Sequence, residues 1–213
     1  MGQIQIIVEG MTASGKSTLV NLISERLGFK IMPEEFRDPL DLLNRFHHDK
    51  ERWAFPMQLN FLVTRFAQYM CASEENDYIL DRSIFGDKVY AMLYYRQGTF
   101  RDSQLGCYLT LYDSLLRYVK LPRLLVLVRC GFDEIMRRIH SRGRQDEIDA
   151  GVDYWKSLYD AYMPFLDFVK SEIPGELNCI ELDLSNPAFI HTPSMVDEFL
   201  GRVKAYFPER KFS

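Results

Sequence analysis

The chain has 213 residues, 47% of them hydrophobic and 26% charged, which is enough for one domain with a full core and too apolar for a disordered chain. Its 26 Lys and Arg against 30 Asp and Glu leave a net charge of −4, so the basic surface that a nucleic-acid polymer partner requires is not expected. No apolar run approaches the roughly 18 residues of a membrane span. Residues 3–9 read as a strand rather than a signal peptide. A soluble, cytoplasmic protein with no membrane partner is the expectation. Cys71, Cys107, Cys130 and Cys179 stand far apart without a C-x-x-C pair, and are expected to be buried apolar fillers.

In chain order, short Ile-, Leu- and Val-rich runs predict strands at 3–9, 29–33, 78–80, 124–128 and 178–182. Such continuous apolar runs suit strands buried on both faces. Helical patterns fall between them at 17–27 (stopped by Gly28), 51–73, 85–95, 104–119, 133–141, 153–171 and 193–206. The alternation predicts an α/β domain over 1–213, a five-stranded parallel sheet flanked by helices. No repeat or linker divides it.

The first strand runs into Gly10-Met11-Thr12-Ala13-Ser14-Gly15-Lys16-Ser17 and then Thr18, a complete G-x-x-x-x-G-K-[ST] in the strand-to-helix context it requires. The glycines permit a tight turn whose backbone N–H groups cradle phosphates, and the following helix start adds its positive dipole end. Lys16 supplies charge to the outer phosphates, and Ser17 offers a hydroxyl to Mg²⁺. Chance supplies such a match in roughly 1% of chains this long. A nucleoside triphosphate, ATP or another, is the expected ligand. Neither D-x-x-G nor N-K-x-D occurs, which argues against a GTPase switch.

The third strand ends in Asp81-Arg82-Ser83. Ligands of open α/β sheets sit at the carboxyl ends of strands, so Asp81 is expected to reach Mg²⁺ through water and Arg82 to face the transferred phosphoryl or its acceptor. The helix 133–141 closes with Arg137, Arg138, His140, Arg142, Gly143 and Arg144, with Asp146 and Glu147 following. A basic cluster hinged on a glycine suits a lid over about 137–150 that places charge on phosphoryl oxygens when substrate is bound.

These motifs together resemble the deoxyribonucleoside kinase family across almost the whole chain. That family joins a P-loop, a Glu at the end of the second strand, a W-x-x-x-x-Q segment, an [ED]-R-S motif and an R-x-R lid followed by acids. Here they are Gly10 to Ser17, Glu34 or Glu35, Trp53 to Gln58, Asp81-Arg82-Ser83 and Arg142-Gly143-Arg144. The Asp of the D-R-S motif, the R-G-R lid and Asp153-Tyr154-Trp155 resemble the bacterial-type deoxyadenosine/deoxyguanosine kinases.

The resemblance implies a P-loop kinase fold with a mobile Arg-rich lid, and transfer of a γ-phosphoryl from ATP or another triphosphate to a deoxynucleoside 5′-hydroxyl in nucleotide salvage. It implies the second-strand glutamate as general base. Counting forward from the P-loop favours Glu34, and counting back from Trp53 favours Glu35; Glu34 is preferred. Arg82 would hold that carboxylate, Gln58 the base edge and Glu147 the 3′-hydroxyl, while Arg142 and Arg144 would close on the phosphates. His47 stands where the family commonly has a tyrosine on the 3′-hydroxyl. Arg65 and Asp87 match a pair that faces the base in members accepting deoxycytidine or purine deoxynucleosides, with deoxyadenosine the first choice and thymidine poor. Phe61 and Phe85 are the candidate ring contacts for the base. A homodimer is implied, with helices 51–73 and 85–95 as candidate interface. Two rival readings are a thymidylate-type nucleoside monophosphate kinase and a P-loop protein that binds nucleotide without transfer.

Overall fold

Five strands, β1 (Ile6–Glu9), β2 (Lys30–Met32), β3 (Tyr78–Asp81), β4 (Leu124–Arg129) and β5 (Cys179–Asp183), pair in parallel in the order β2-β3-β1-β4-β5. They belong to a computed structural model that describes residues 3–34, 38, 40–173 and 175–212. Central β1 sets Ile6 opposite Ile79 and Leu124, and Val8 opposite Asp81 and Val126. All four β1 residues are buried, because helices cover both faces of the sheet.

Side chains alternate across each strand, so the core divides in two. Ile6 and Val8 join Leu19, Val20 and Ile23 of α1 (Lys16–Leu27) and Val196, Phe199 and Leu200 of α10 (Pro193–Lys204) on one face. Ile7 and Leu80 point the other way, toward α3 (Lys50–Ala72), α4 (Ile84–Arg96), α5 (Asp102–Leu116), α6 (Phe132–Arg142), α8 (Val152–Tyr162) and α9 (Phe165–Glu172). Two short helices, α2 (Leu42–His48) and α7 (Gln145–Asp149), and a 3₁₀ turn at Pro187–His191 complete the described elements.

The strands and longer helices match their expected positions, with differences that have physical causes. The helix expected over 153–171 is two, α8 and α9, because Pro164 cannot donate to the preceding turn. The elements α2 and α7 span only seven and five residues, too few to carry a periodic hydrophobic signal. The cysteines are not uniformly buried fillers: Cys130 is buried, Cys179 half-buried, and Cys71 and Cys107 exposed on outer helix faces. No described helix is long and apolar enough to cross a membrane.

The chain leaves β1 for β2 and β3 on one side and later crosses to β4 on the other. Strand order reverses at β1, which places a crevice at the carboxyl ends of β1, β3 and β4.

Candidate active site

The P-loop occupies that crevice. Gly10 has φ 155°, and a Cβ there would lie 2.6 Å from the Val128 carbonyl oxygen of β4, so the loop needs glycine where it passes the sheet. The first turn of α1 has neither a capping side chain nor an acidic residue, which leaves its N–H groups for an anion. Lys16 is buried, and its Nζ donates to the Met11 carbonyl at 2.9 Å. Burial and the neighbouring Arg82 lower its pKa to about 8, against the pull of Asp81, Glu34 and Glu9. The Ser17 hydroxyl donates to Asp81 Oδ2 at 2.6 Å, while buried Asp81 Oδ1 has no hydrogen-bond partner among the described residues.

Beside Lys16 lies a dense cluster of charge. Arg82 Nε stands 2.9 and 3.0 Å from the two oxygens of Glu34, and Arg65 Nη2 donates to Glu34 at 3.0 Å. Burial alone would raise the Glu34 pKa, but Arg82, Arg65 and Lys16 overcome it and hold the carboxyl at about 2. Arg82 also donates to Thr12 Oγ1 at 3.1 Å and to the Tyr162 hydroxyl at 3.3 Å, and packs over the Tyr90 ring. Its backbone is left-handed, φ 76°, a conformation that costs a non-glycine residue about 1–3 kcal/mol. Glu35 lies outside the described residues.

A cleft of ≈ 950 Å³ opens over this cluster. Of the residues singled out from sequence, Thr12, Ala13, Gly15, Lys16, Ser17, Thr18, Glu34, His47, Gln58, Phe61, Asp81, Arg82, Asp87, Arg142, Arg144 and Glu147 all line it. Arg65 lies behind them, 96% buried at its side chain, with Nε 3.6 Å from Asp87 Oδ2. Gly10, Met11 and Ser14 face away from the cleft lining, and Met11 and Ser14 border a smaller cavity behind the loop. Phe85 departs from its expected place as a ring contact: it is 1% exposed in the core and absent from the cleft wall, because α4 there packs among α3, α5 and α8. Tyr90, five residues along α4, lines the cleft instead.

In the cleft wall, Gln58 Oε1 and Asp87 Oδ2 are buried without hydrogen-bond partners among the described residues. Burial raises the Asp87 pKa to about 7, despite the Arg65 guanidinium, and the charges of Glu34 and Glu9 add to the rise. In the segment expected to form a lid, Arg142 donates to Glu147 at 2.7 Å and Arg144 approaches it at 3.5 Å. Trp155 Nε1 donates to the Glu147 carbonyl at 2.8 Å. His47 Nε2 faces Asp146 of α7 at 3.8 Å; burial lowers its pKa, while Asp146 opposes the shift. Gly143, φ 68°, ends α6 between Arg142 and Arg144.

Two residues at this site, Glu9 and Tyr162, carried no recognisable signal of their own, and a third, Arg138, was legible only as part of the basic cluster. Glu9, wholly buried, accepts from Gly10 N at 2.9 Å and from Ser83 N at 2.9 Å and Oγ at 2.6 Å. Arg138 of α6 donates to the Ala13, Ser14 and Leu184 carbonyls, at 3.3, 2.9 and 2.6 Å. Tyr162 bridges Arg82 and Glu9 from α8. Glu9 lay inside a predicted strand, Arg138 inside a basic run, and Tyr162 in an aromatic-rich helix; only their distant partners distinguish them.

Residues 6–207 match the family model described as deoxynucleoside kinase. A deoxyadenosine/deoxycytidine kinase of Bacillus subtilis (strain 168) is 33% identical over 161 residues, which cover 74% of each chain. A deoxyadenosine kinase of Dictyostelium discoideum is 28% identical over 170 residues, 79% of this chain and 69% of that one. The solved structure of deoxyadenosine kinase from M. mycoides, with products dCMP and a flexible dCDP bound, aligns with a TM-score of 0.80 at 20% identity, over 95% of this chain and 100% of that one. The fold is therefore shared with that kinase. By its matched length and by these relatives, the chain belongs to the deoxynucleoside kinase family, the ATP-dependent phosphotransferases that act on deoxynucleosides.

Proposed function

We propose that this kinase moves the γ-phosphoryl of ATP to the 5′-hydroxyl of deoxyadenosine first, accepts deoxycytidine and deoxyguanosine, and is poor with thymidine. The observation that carries the reading is the position of Glu34. It meets Arg82 and Arg65 in the cleft that Lys16 and Ser17 of the P-loop, Gln58 and Asp87 also line, and Gln58 Oε1 and Asp87 Oδ2 have no hydrogen-bond partner among the described residues.

The P-loop amides, the free start of α1 and Lys16 receive the triphosphate. Glu34, kept ionised by two guanidinium groups, accepts a hydrogen bond from the 5′-hydroxyl and orients its oxygen toward phosphorus. A carboxylate with a pKa near 2 is a weak base, so the proton moves late. As the new oxygen–phosphorus bond forms and the bond to the β-phosphate oxygen breaks, the attacking oxygen becomes acidic and Glu34 takes its proton. Arg82 offsets charge on the transferring group, and Arg142 and Arg144 reach the phosphates by exchanging Glu147 for substrate oxygens. Glu147 and His47 then face the 3′-hydroxyl. Gln58 reads the base edge with one acceptor and one donor pair. Asp87, when ionised, accepts from the exocyclic amino group of adenine or cytosine, where thymine has a carbonyl.

The unpartnered Asp81 Oδ1 beside the Ser17 hydroxyl suits a hydrated Mg²⁺, which takes few protein ligands. Bound there, it would neutralise charge on the β- and γ-phosphates. A cytoplasmic homodimer completes the reading; exposed Val63 on α3 offers apolar surface for the second copy.

The test is a panel of the four deoxynucleosides, their ribose counterparts and the deoxynucleoside monophosphates with ATP and Mg²⁺. Turnover of deoxyadenosine above the others is expected. Turnover restricted to monophosphates would replace this reading with a monophosphate kinase.

A further inference from the structure

We propose that Glu9 is a positioning residue for Arg82, its buried carboxylate fixing both the backbone turn and the guanidinium that hold Glu34. The inference rests on the roles given above to Arg82 and Glu34.

Glu9 ends β1 at 0% exposure and lies outside the cleft lining, so it does not touch substrate. Oε1 accepts from the Gly10 N–H at 2.9 Å, at the start of the P-loop. Oε2 accepts the N–H and the hydroxyl of Ser83, at 2.9 and 2.6 Å. Ser83 directly follows Arg82, whose φ of 76° a side chain rarely adopts. On the other side of the turn, the Arg82 N–H donates to the Val8 carbonyl at 2.9 Å. The left-handed residue is thus pinned on both sides to the end of β1, by Val8 before it and Glu9 after it.

A second connection runs through side chains. The Tyr162 hydroxyl accepts from Arg82 Nη1 at 3.3 Å and donates to Glu9 Oε1 at 3.5 Å. The carboxylate therefore reaches Arg82 twice, through Ser83 to its backbone and through Tyr162 to its guanidinium. Every partner of Glu9 donates, so an amide in its place would turn an N–H₂ toward another donor. Gly86 leaves room for the arrangement: a Cβ there would lie 2.8 Å from Glu9 Oε2 and 3.1 Å from the Tyr162 hydroxyl.

A loosened turn misaims Arg82 at a distance from the substrate, and misplacement near 1 Å costs about 10²-fold in rate. The test is a double-mutant cycle in the full chain with ATP and deoxyadenosine. Glu9→Gln is expected to lower kcat about 10²-fold with both KM values within about threefold. In an Arg82→Ala background the same change should cost less than about threefold more, because the residue it positions is gone. Gly86→Ala, which displaces the carboxylate without altering a charge, should show the same dependence on background. If Glu9→Gln does not fold, Tyr162→Phe carries the comparison, with a loss in wild type and none beside Arg82→Ala. Equal losses in both backgrounds, or a rise in KM with kcat unchanged, would overturn the inference while leaving Arg82 its role. An Arg82→Ala enzyme with near wild-type turnover would overturn both together.

Discussion

Arg82 Nε lies 2.9 Å from Glu34 Oε1, and this ion pair forms across 48 residues of sequence at the middle of the cleft. Its two ends come from a strained strand-end turn and from the loop after β2. The pair has two consequences: the carboxylate stays ionised, and the guanidinium is fixed in the place where the proposed transfer needs a cation. Lys16, from the P-loop, brings a second cation to the same place.

Lys16→Ala and Arg82→Ala are each expected to abolish most turnover. Each removes a preorganised positive group from the reacting phosphoryl or its nucleophile, a loss of about 10²–10³ in rate. Steady-state kcat in a coupled ADP-release assay measures it. More than a tenth of wild-type turnover in either variant would contradict the role given to that residue.

Glu34→Gln should lose chemistry while nucleoside affinity stays within a few-fold. The amide keeps the shape and the hydrogen bond to the 5′-hydroxyl but cannot take its proton. Comparing kcat with a binding constant from calorimetry separates the two. The control is Glu35→Gln: if that variant is dead and Glu34→Gln active, the base is the neighbouring glutamate.

Two pH limbs should separate when each substrate is varied in turn. With ATP saturating, kcat/KM for deoxyadenosine should rise through about pH 7 as Asp87 ionises and becomes an acceptor for the amino group. The rising limb should vanish in Asp87→Asn. With deoxyadenosine saturating, kcat/KM for ATP should fall above about pH 8 as Lys16 loses its proton. A deoxyadenosine profile flat from pH 5.5 to 8 would show that Asp87 does not titrate in front of the base.

Asp87 also sets a stability slope. Its folded pKa of about 7 lies above the ordinary 3.8, so its stabilising contribution is complete below pH 3.8 and is lost as pH rises through 7. Glu34 has the opposite sign: its contribution is present above pH 4.5 and lost as pH falls through about 2. Between pH 5 and 8 only Asp87 of this pair changes charge. Urea unfolding over that range should therefore show Asp87→Asn gaining stability relative to wild type as pH increases. Parallel curves for the two proteins would refute the raised pKa.

Base selectivity should follow the Arg65–Asp87 pair. Replacing both by small neutral residues removes the acceptor and its buried counter-charge together, which avoids leaving one charge unpaired. The ratio of thymidine to deoxyadenosine kcat/KM should rise by roughly ten- to hundred-fold, the cost of about 1–3 kcal/mol for a buried polar group mismatched by the wrong base. A wild-type enzyme whose best substrate is thymidine would defeat the argument before any substitution is made.

Sequence alone determined what depends on local spacing. The P-loop is one contiguous string whose glycines, lysine and serine do their work within eight residues. The five strands are continuous apolar runs because the sheet is buried on both faces, and that pattern needs no partner to be read. Tertiary structure decided whatever depends on which distant side chains meet. Glu34 is one of two adjacent glutamates until Arg65 and Arg82 converge on it. Glu9 reads as a polar residue at a strand end until Ser83, Gly10 and Tyr162 surround it with donors. Phe85 and Tyr90 share a helix, and only packing sends the first into the core and the second to the cleft. The opposite pKa shifts of Asp87 and Glu34 have causes that only the fold sets: Asp87 is buried with the Arg65 guanidinium 3.6 Å away, so desolvation wins, whereas the Glu34 side chain is a third exposed and in direct contact with Arg82 and Arg65, so attraction wins.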